Sequence, residues 1–433
     1  MLSKVGINIV LHQWVSTAVL ILSLGVSTTI LSSNFFCKKP EVLQLILVNL
    51  AFNIPVISVF FTEWFMFPES SYRIGLGLFF CVIAINEVQS FKPLKLIISL
   101  FFLFLSIGIY QVFVEIFVIF AFCFICRELD VAKVKITLSR IAYVLSIALG
   151  ASLLNIGMSK IVGRVFGVTM SERSAVFTLK VIKGNIIKLW GIQPRLWNSG
   201  LGLLPKYTLL VFFLLLVAFV LYTFFATDSL KNPHKIIFLC MLAISLIITF
   251  APHFISPSFW PAPRTLIALF ACFTLTIIFI SLNNKNQIVL HYLLIICILF
   301  ISINYVKIQK MGEDQFITNA LDKNFSLTID KAISDYEAAS NVKVSKIAIR
   351  NDVSPLYGYY QYVENITYDI NRSSRWISWA TVPMINFYSG RDLTQITGDQ
   401  AIFEEILTLE NMDMLDLDKH VYFDGDILYL VIY

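Results

Sequence analysis

The sequence predicts a polytopic α-helical membrane protein with a small mixed α/β domain at its C-terminal end. Three observations lead there. Of the 433 residues, 58% are hydrophobic and 14% charged, against roughly 45–50% and about 25% in ordinary soluble domains. The apolar residues, 38 Phe among them, lie in runs near the length needed to cross a bilayer, about 20 residues of helix. Charge also divides the chain. Residues 1–305 hold 22 Lys and Arg against 9 Asp and Glu, and residues 306–433 hold 11 against 19. A soluble enzyme is excluded. A transmembrane domain is therefore expected over 1–305 and a globular C-terminal domain over 306–433, long enough to bury a small core.

Apolar runs predict spans near 10–32, 42–61, 74–90, 94–110, 112–126, 140–158, 207–226, 236–254, 265–282 and 287–305. The stretch 94–126 reads as two helices, because Gly108, Tyr110, Gln111 and Glu115 interrupt its middle. Gln and Glu are costly in lipid unless they face protein or a watery cavity. Ten spans result, or nine if the stretch is one tilted helix. All seven cysteines lie in this region. Cys123 and Cys126 form a C-x-x-C inside an apolar helix with no second pair, so they read as packing residues rather than a metal or redox site.

Orientation follows from Lys and Arg in the short loops. Lys38, Lys39, Lys92, Lys95, Arg127, Lys133, Lys135, Arg140, Lys231, Lys235 and Lys285 fall on one side, and Lys4, Arg73 and Arg264 on the other. The first set is expected in the cytoplasm. The long loop 159–206, with eight basic residues of its own, is set aside because long loops weigh little in this rule. Loops 62–73, 159–206 and 254–264 and the C-terminal domain are then extracytoplasmic. The N-terminus falls on that side too, which leads to the expectation that an initial helix precedes the sequence.

Loop 159–206 predicts an amphipathic helix. Ala175, Leu179, Ile182, Ile186 and Leu189 share a face, with Arg173, Lys180, Lys183 and Lys188 opposite. Ser171 and Glu172 stand at its start, and Gly191 and Pro194 are expected to stop it. Such a helix lies in the membrane interface. Its cations either anchor it to anionic lipid or hold a lipid-linked phosphate, with Arg195 and Trp197-Asn198 just beyond. Carboxylates are scarce, and Glu63, Glu69 and Glu172 alone are expected at the external surface. Glu63, beside Trp64 where a helix emerges, is a candidate base for a sugar hydroxyl, and Glu69 is the second candidate. The alternative is an interfacial Trp belt with a solvated Glu. Tyr110 and Gln111 supply hydrogen-bonding groups at the same depth. His253, Trp260 and Arg264 lie in the rigid segment PHFISPSFWPAPR, suited to a sugar or phosphate. It reads equally as a plain connector.

Neither a Walker A motif, a glycine phosphate loop nor an H-E-x-x-H occurs, and the cytoplasmic loops are short. Chemistry should therefore use a substrate delivered in the membrane, without a cofactor, a metal or nucleic acid. The C-terminal domain begins helix-like over 314–341, continues strand-like over VKVSKIAIR, and then becomes rich in Tyr, Trp, Asn and Arg. Most of these rings are expected in the core, with a few exposed.

The segments HQWVSTAVLILSL, PVISVFFTEWFMFPESSYRIGLGL, SIGIYQVFVEIFVIF with its Tyr110-Gln111, and PAPRTL resemble the serotype-converting O-antigen glucosyltransferases of phages and prophages. The resemblance implies a GT-C-like architecture in the bacterial inner membrane and undecaprenyl-phosphate-glucose as donor. It implies O-antigen units of lipopolysaccharide as the periplasmic acceptor. A companion flippase and a polyprenyl-phosphate glucosyltransferase would be partners. In that family an acidic pair sits in the first periplasmic loop. His12-Gln13-Trp14 matches the residues just after it, so either the sequence starts beyond that pair or Glu63 or Glu69 replaces it. The competing functions are an O-antigen polymerase and a lipid-linked-sugar flippase or transporter. The first usually lacks such a C-terminal domain, and the second favours internal repeats that are not evident here.

Overall fold

A computed structural model describes residues 13–36, 40–90, 92–129, 133–167, 178–226, 232–351, 363, 366–407 and 420–432, except for the side chains of Pro68, Glu69, Asn351, Ile406 and Leu407. The chain is a polytopic helical membrane protein with a small mixed-sheet region near its C-terminus. It divides into two compact units, Met1–Ile308 and Gln309–Tyr433.

The first unit contains α1 (Gln13–Phe35), α2 (Val42–Ile57), α3 (Pro68–Val88), α4 (Pro93–Ile109), α5 (Phe113–Cys126), α6 (Val134–Phe166), α7 (Leu179–Ser199), α8 (Thr208–Ala226), α9 (Asn232–Ile255) and α10 (Ala268–Asn283). The first part of α11 (Gln287–Ser340) belongs to it as well. Each expected apolar run falls on a helix. Six of these (α1, α3, α6, α8, α9 and α11) are long and apolar enough to cross a membrane, and α2, α4, α5 and α10 are apolar but shorter. The division of 94–126 is real: α4 ends at Ile109, and Tyr110 has extended backbone before α5 begins.

Two helices form the centre. Nearly every residue of α5 and α10 is buried, as expected of helices that are apolar all round. Phenylalanines fill the space around them. Phe212 stacks on Phe300 with centroids 3.8 Å apart, and Phe238 on Phe279 at 3.7 Å. Cys123 and Cys126 are buried and free within this packing. Gly77 on α3 lets α5 approach closely, since a Cβ there would come 2.3 Å from the Phe113 ring. The other helices leave apolar side chains exposed, such as Leu149 and Leu153 on α6 and Leu214 and Phe225 on α8, as lipid-facing surfaces require.

At one end of α5, Arg127 donates to the Asn34 and Phe35 carbonyls and pairs with Glu128, which also pairs with Arg140. Burial pushes the Glu128 carboxyl up, but hydrogen bonds and charge from Arg140 and Arg127 outweigh it and hold the group below its ordinary value. Among the described residues, Arg127, Arg140 and Lys95, which pairs with Glu87 at 2.8 Å, belong to the set expected in the cytoplasm.

The second unit carries a four-stranded sheet in the order β2-β1-β4-β3. Its strands are β1 (Lys346–Asn351), β2 (Thr394–Ile396), β3 (Val421–Asp424) and β4 (Ile427–Ile432), with α12 (Thr381–Ser389) and α13 (Gln400–Leu407) between them. The strand β1 pairs in parallel with β2 and β4, and β3 pairs antiparallel with β4. Alternation along β1 and β4 feeds two faces. Ile347, Leu428 and Leu430 pack with Ile329, Ile333 and Ile385, while Ala348, Tyr429 and Val431 pack with Phe403. A sheet with parallel pairs is covered on both sides for this reason. Of the described rings, Trp376, Tyr388 and Phe423 pack on the core, while Trp379 is 73% exposed and Phe387 also faces outward. Residues 352–362 lie outside the described set.

Candidate functional site

The site begins where α2 ends. Ser58 donates to the Pro55 carbonyl at 2.7 Å and accepts from the Phe61 N–H, while the Val59 N–H donates to Asn304 on α11 at 3.0 Å. With those backbone groups satisfied, the chain turns into the 3₁₀ helix Phe61–Met66. Pro68 starts α3 at its first position, where a missing N–H costs nothing. The buried Ser71 then donates to the Trp64 carbonyl at 2.8 Å. This places Glu63 inside the protein, fully buried.

Its partner comes from the segment after α9. The 3₁₀ turn Pro263–Thr265 presents Arg264, whose guanidinium pairs with Glu63 Oε1, and whose backbone N–H donates to Glu63 Oε2 at 2.7 Å. Both carboxylate oxygens are thus engaged by one residue. Trp64 and Phe67 flank the guanidinium, 5.9 and 5.2 Å from it to their ring centroids. Tyr110 meets Trp64 edge to face at 4.5 Å. A charged pair removed from water holds only with good geometry and further hydrogen bonds, and both are present. Three connections, the end of α2, the α4–α5 turn and the segment before α10, therefore meet at one end of the helix bundle.

The cationic helix meets the same segment. Asn185 on α7 is buried and donates to the carbonyls of Phe254, at 3.2 Å, and Ser256, at 2.7 Å. Lys188, one turn on, sits 5.9 Å from the Phe259 ring centroid. One expectation for this helix is corrected. Gly191 and Pro194 lie inside it, and it ends at Gly200, whose φ of +54° and N–H bonds to Arg195 and Leu196 carbonyls form the cap. A proline lacks only one intrahelical donor, and here the chain runs through it. The face set toward the protein is Asn185, Leu189 and Leu196, so Leu179 and Ile186 point outward together with Trp190, which is 80% exposed. The helix begins at Thr178, which caps the Val181 N–H, while Ser171, Glu172, Arg173 and Ala175 lie outside the described residues.

Two buried groups near the pair have unmet polar atoms. Neither oxygen of Glu115, in the first turn of α5, has a hydrogen-bond partner among the described residues. Nε2 of His253 is likewise unmet. His253 belongs to the last turn of α9, not to the following loop, because α9 continues through Pro252 to Ile255. Among the described residues no cluster of three or more His, Cys, Asp or Glu is arranged for a metal ion.

Of the residues singled out from sequence, the structure brings Glu63, Arg264 and Tyr110 together, and sets Lys188 beside their loop. Trp260 is half-buried in that loop and Gln111 is exposed next to Tyr110. Lys180 and Lys183 are exposed on the first half of α7, and Arg195 donates to the Leu201 carbonyl at 3.3 Å near its other end. The Glu69 side chain lies outside the described set. Asn185, Ser71 and Asn304 were missed, since a polar residue that ties backbone together leaves no periodic mark. The pairing of Glu63 with Arg264 had one available signal, the scarcity of carboxylates in the membrane body. Neither the comparison with characterised proteins nor that with solved structures returned a match. The family profile described as Glucosyl transferase GtrII matches residues 5–281. A helical membrane body with that match over more than half its length belongs to the GtrII glucosyl transferase family.

Proposed function

We propose that this glucosyltransferase moves glucose from undecaprenyl-phosphate-glucose to O-antigen units of lipopolysaccharide at the periplasmic face of the bacterial inner membrane. The observation that carries the reading is the buried Glu63–Arg264 pair, which ties together two segments that charge counting sets outside the cytoplasm. Arg264 receives the donor phosphate, and Lys188, Lys180, Lys183 and Arg195 of α7 draw the anionic headgroup toward it. Arg173, outside the described residues, joins them in this role. The acceptor hydroxyl gives its proton to a carboxylate, Glu63 first and Glu69 second, as its oxygen attacks the anomeric carbon. The bond from that carbon to the phosphate oxygen breaks, and the charge left on polyprenyl phosphate is held by the guanidinium. Tyr110, Gln111 and Trp260 face the sugars. The unit from Gln309 onward is the periplasmic domain, and a companion flippase and polyprenyl-phosphate glucosyltransferase supply the donor.

Structural analysis of O-antigen from cells with and without the gene tests this. Side-chain glucose that disappears in Arg264→Gln supports transfer. A changed chain length without added glucose would instead indicate polymerisation.

A further inference from the structure

The site as it stands poses a contradiction that points to its operation. A base must offer an oxygen to the acceptor hydroxyl, yet Glu63 is fully buried and both its oxygens are engaged by Arg264. A phosphate receptor must offer its guanidinium, yet the guanidinium is held by Glu63. Each group is occupied by the other.

We infer that the Glu63–Arg264 pair is a donor-operated latch: the donor phosphate displaces the Glu63 carboxylate from the Arg264 guanidinium and thereby creates the base. This rests on the proposed phosphate role of Arg264. The two bonds to Glu63 differ in kind. Oε1 meets the guanidinium, whereas Oε2 is held by the Arg264 backbone N–H at 2.7 Å. An incoming phosphate competes for the first through the guanidinium's charge. Glu63 is then released at one oxygen while the other stays anchored, so the base appears in a fixed place rather than swinging away. Trp64, Phe67 and Tyr110 around the guanidinium keep water from substituting for the phosphate. The released oxygen takes the proton of the acceptor hydroxyl, the sugar oxygen bonds to the anomeric carbon, and polyprenyl phosphate departs with the bonding pair. Until a donor arrives the carboxylate is masked, which fixes the order of binding as donor first.

The test uses the full-length protein in nanodiscs, with undecaprenyl phosphate alone as the binding probe and glucosyl transfer as a separate readout. In Glu63→Gln the competing charge is gone. A like charge a few ångströms from the phosphate is worth roughly tenfold to a hundredfold in affinity, so the probe should bind tighter by about that factor. Transfer should fall by about 10²–10⁴. Weaker or unchanged binding by Glu63→Gln would overturn the latch, leaving Glu63 as a support for Arg264, and undiminished transfer would overturn its part as base. Glu63→Asp keeps the charge but shortens the reach, and provides the same comparison if the glutamine variant fails to fold. It should bind the probe more tightly and transfer more slowly, and wild-type behaviour in both would count against the latch. Initial-rate kinetics of the unmodified protein should be ordered with donor first, and random order contradicts it. Loss of probe binding in Arg264→Gln separates this idea from the reading beneath it. If that variant binds normally, the phosphate role itself fails.

Discussion

Replacing Arg264 by Gln should cost the membrane body about 3–5 kcal/mol, the usual penalty for stranding one partner of a buried ion pair. The structure sets why the value belongs at this level. Glu63 has no exposed surface, and its carboxylate would lose the guanidinium while retaining the backbone N–H at 2.7 Å. Glu63→Gln should cost less, because the Arg264 side chain is 13% exposed and can turn toward the headgroups. The double variant Glu63→Gln/Arg264→Gln carries no buried charge and should recover a large part of the loss, since uncharged replacements of buried pairs are often close to neutral. Denaturation of the purified protein in detergent, run on all four forms, gives the coupling directly. A coupling of about 2 kcal/mol or more is expected between residues in direct contact. The reasoning is refuted if Arg264→Gln lies within about 0.5 kcal/mol of wild type, the spread of an ordinary surface change, or if the double variant equals the sum of the singles.

Other consequences reach beyond that pair. A periplasm-active reporter fused after Tyr433 should be active and one fused near Lys133 inactive, and the reverse pattern would turn the site toward the cytoplasm. Gln at Lys180, Lys183 and Lys188 together should weaken use of the donor without lowering the amount of protein in the membrane; unchanged activity with Glu at all three positions would rule out steering by α7. Asn185→Ala removes two hydrogen bonds, at 2.7 and 3.2 Å, and should cost about 1–3 kcal/mol by detergent denaturation, together with a raised KM for donor as the Arg264 segment loosens. Glu128 has a carboxyl held below its ordinary value, so its contribution is present above about pH 4.3, the unfolded value for Glu, and is lost as pH falls through the lowered folded value. Glu128→Gln should flatten the acid limb of a stability–pH curve, and an unaltered limb would contradict the assignment.

The helical frame was legible because apolar runs of near-membrane length leave little choice of structure, and the break at Tyr110 was legible because Gln111 and Glu115 do not belong in lipid. Which helices are central was not. The sequences of α5 and α10 are apolar all round, but so is much of α8, and only packing distinguishes a core helix from one facing lipid. The extent of α7 was not legible, because Gly191 and Pro194 look like a stop, whereas the burial of Leu196 and the cap at Gly200 extend the helix past them. For the site, scarcity drew notice to Glu63 and rigidity to Arg264, 201 residues apart in the chain. Their pairing is a long-range fact that no local pattern encodes. Glu115 was noticed as an interruption, but its unmet burial beside the site emerged only from the fold.

The most direct test is transfer of labelled glucose by the purified, reconstituted full-length protein. Proteoliposomes are given undecaprenyl-phosphate-[¹⁴C]glucose and an O-antigen acceptor, and label in the polysaccharide is counted for wild type and Arg264→Gln. The account predicts label on the acceptor with wild type and a drop of about 10²–10³ in rate for the variant, the scale for losing one group that stabilises developing charge. Label that enters only from a nucleotide sugar, or equal rates for the two proteins, would contradict it.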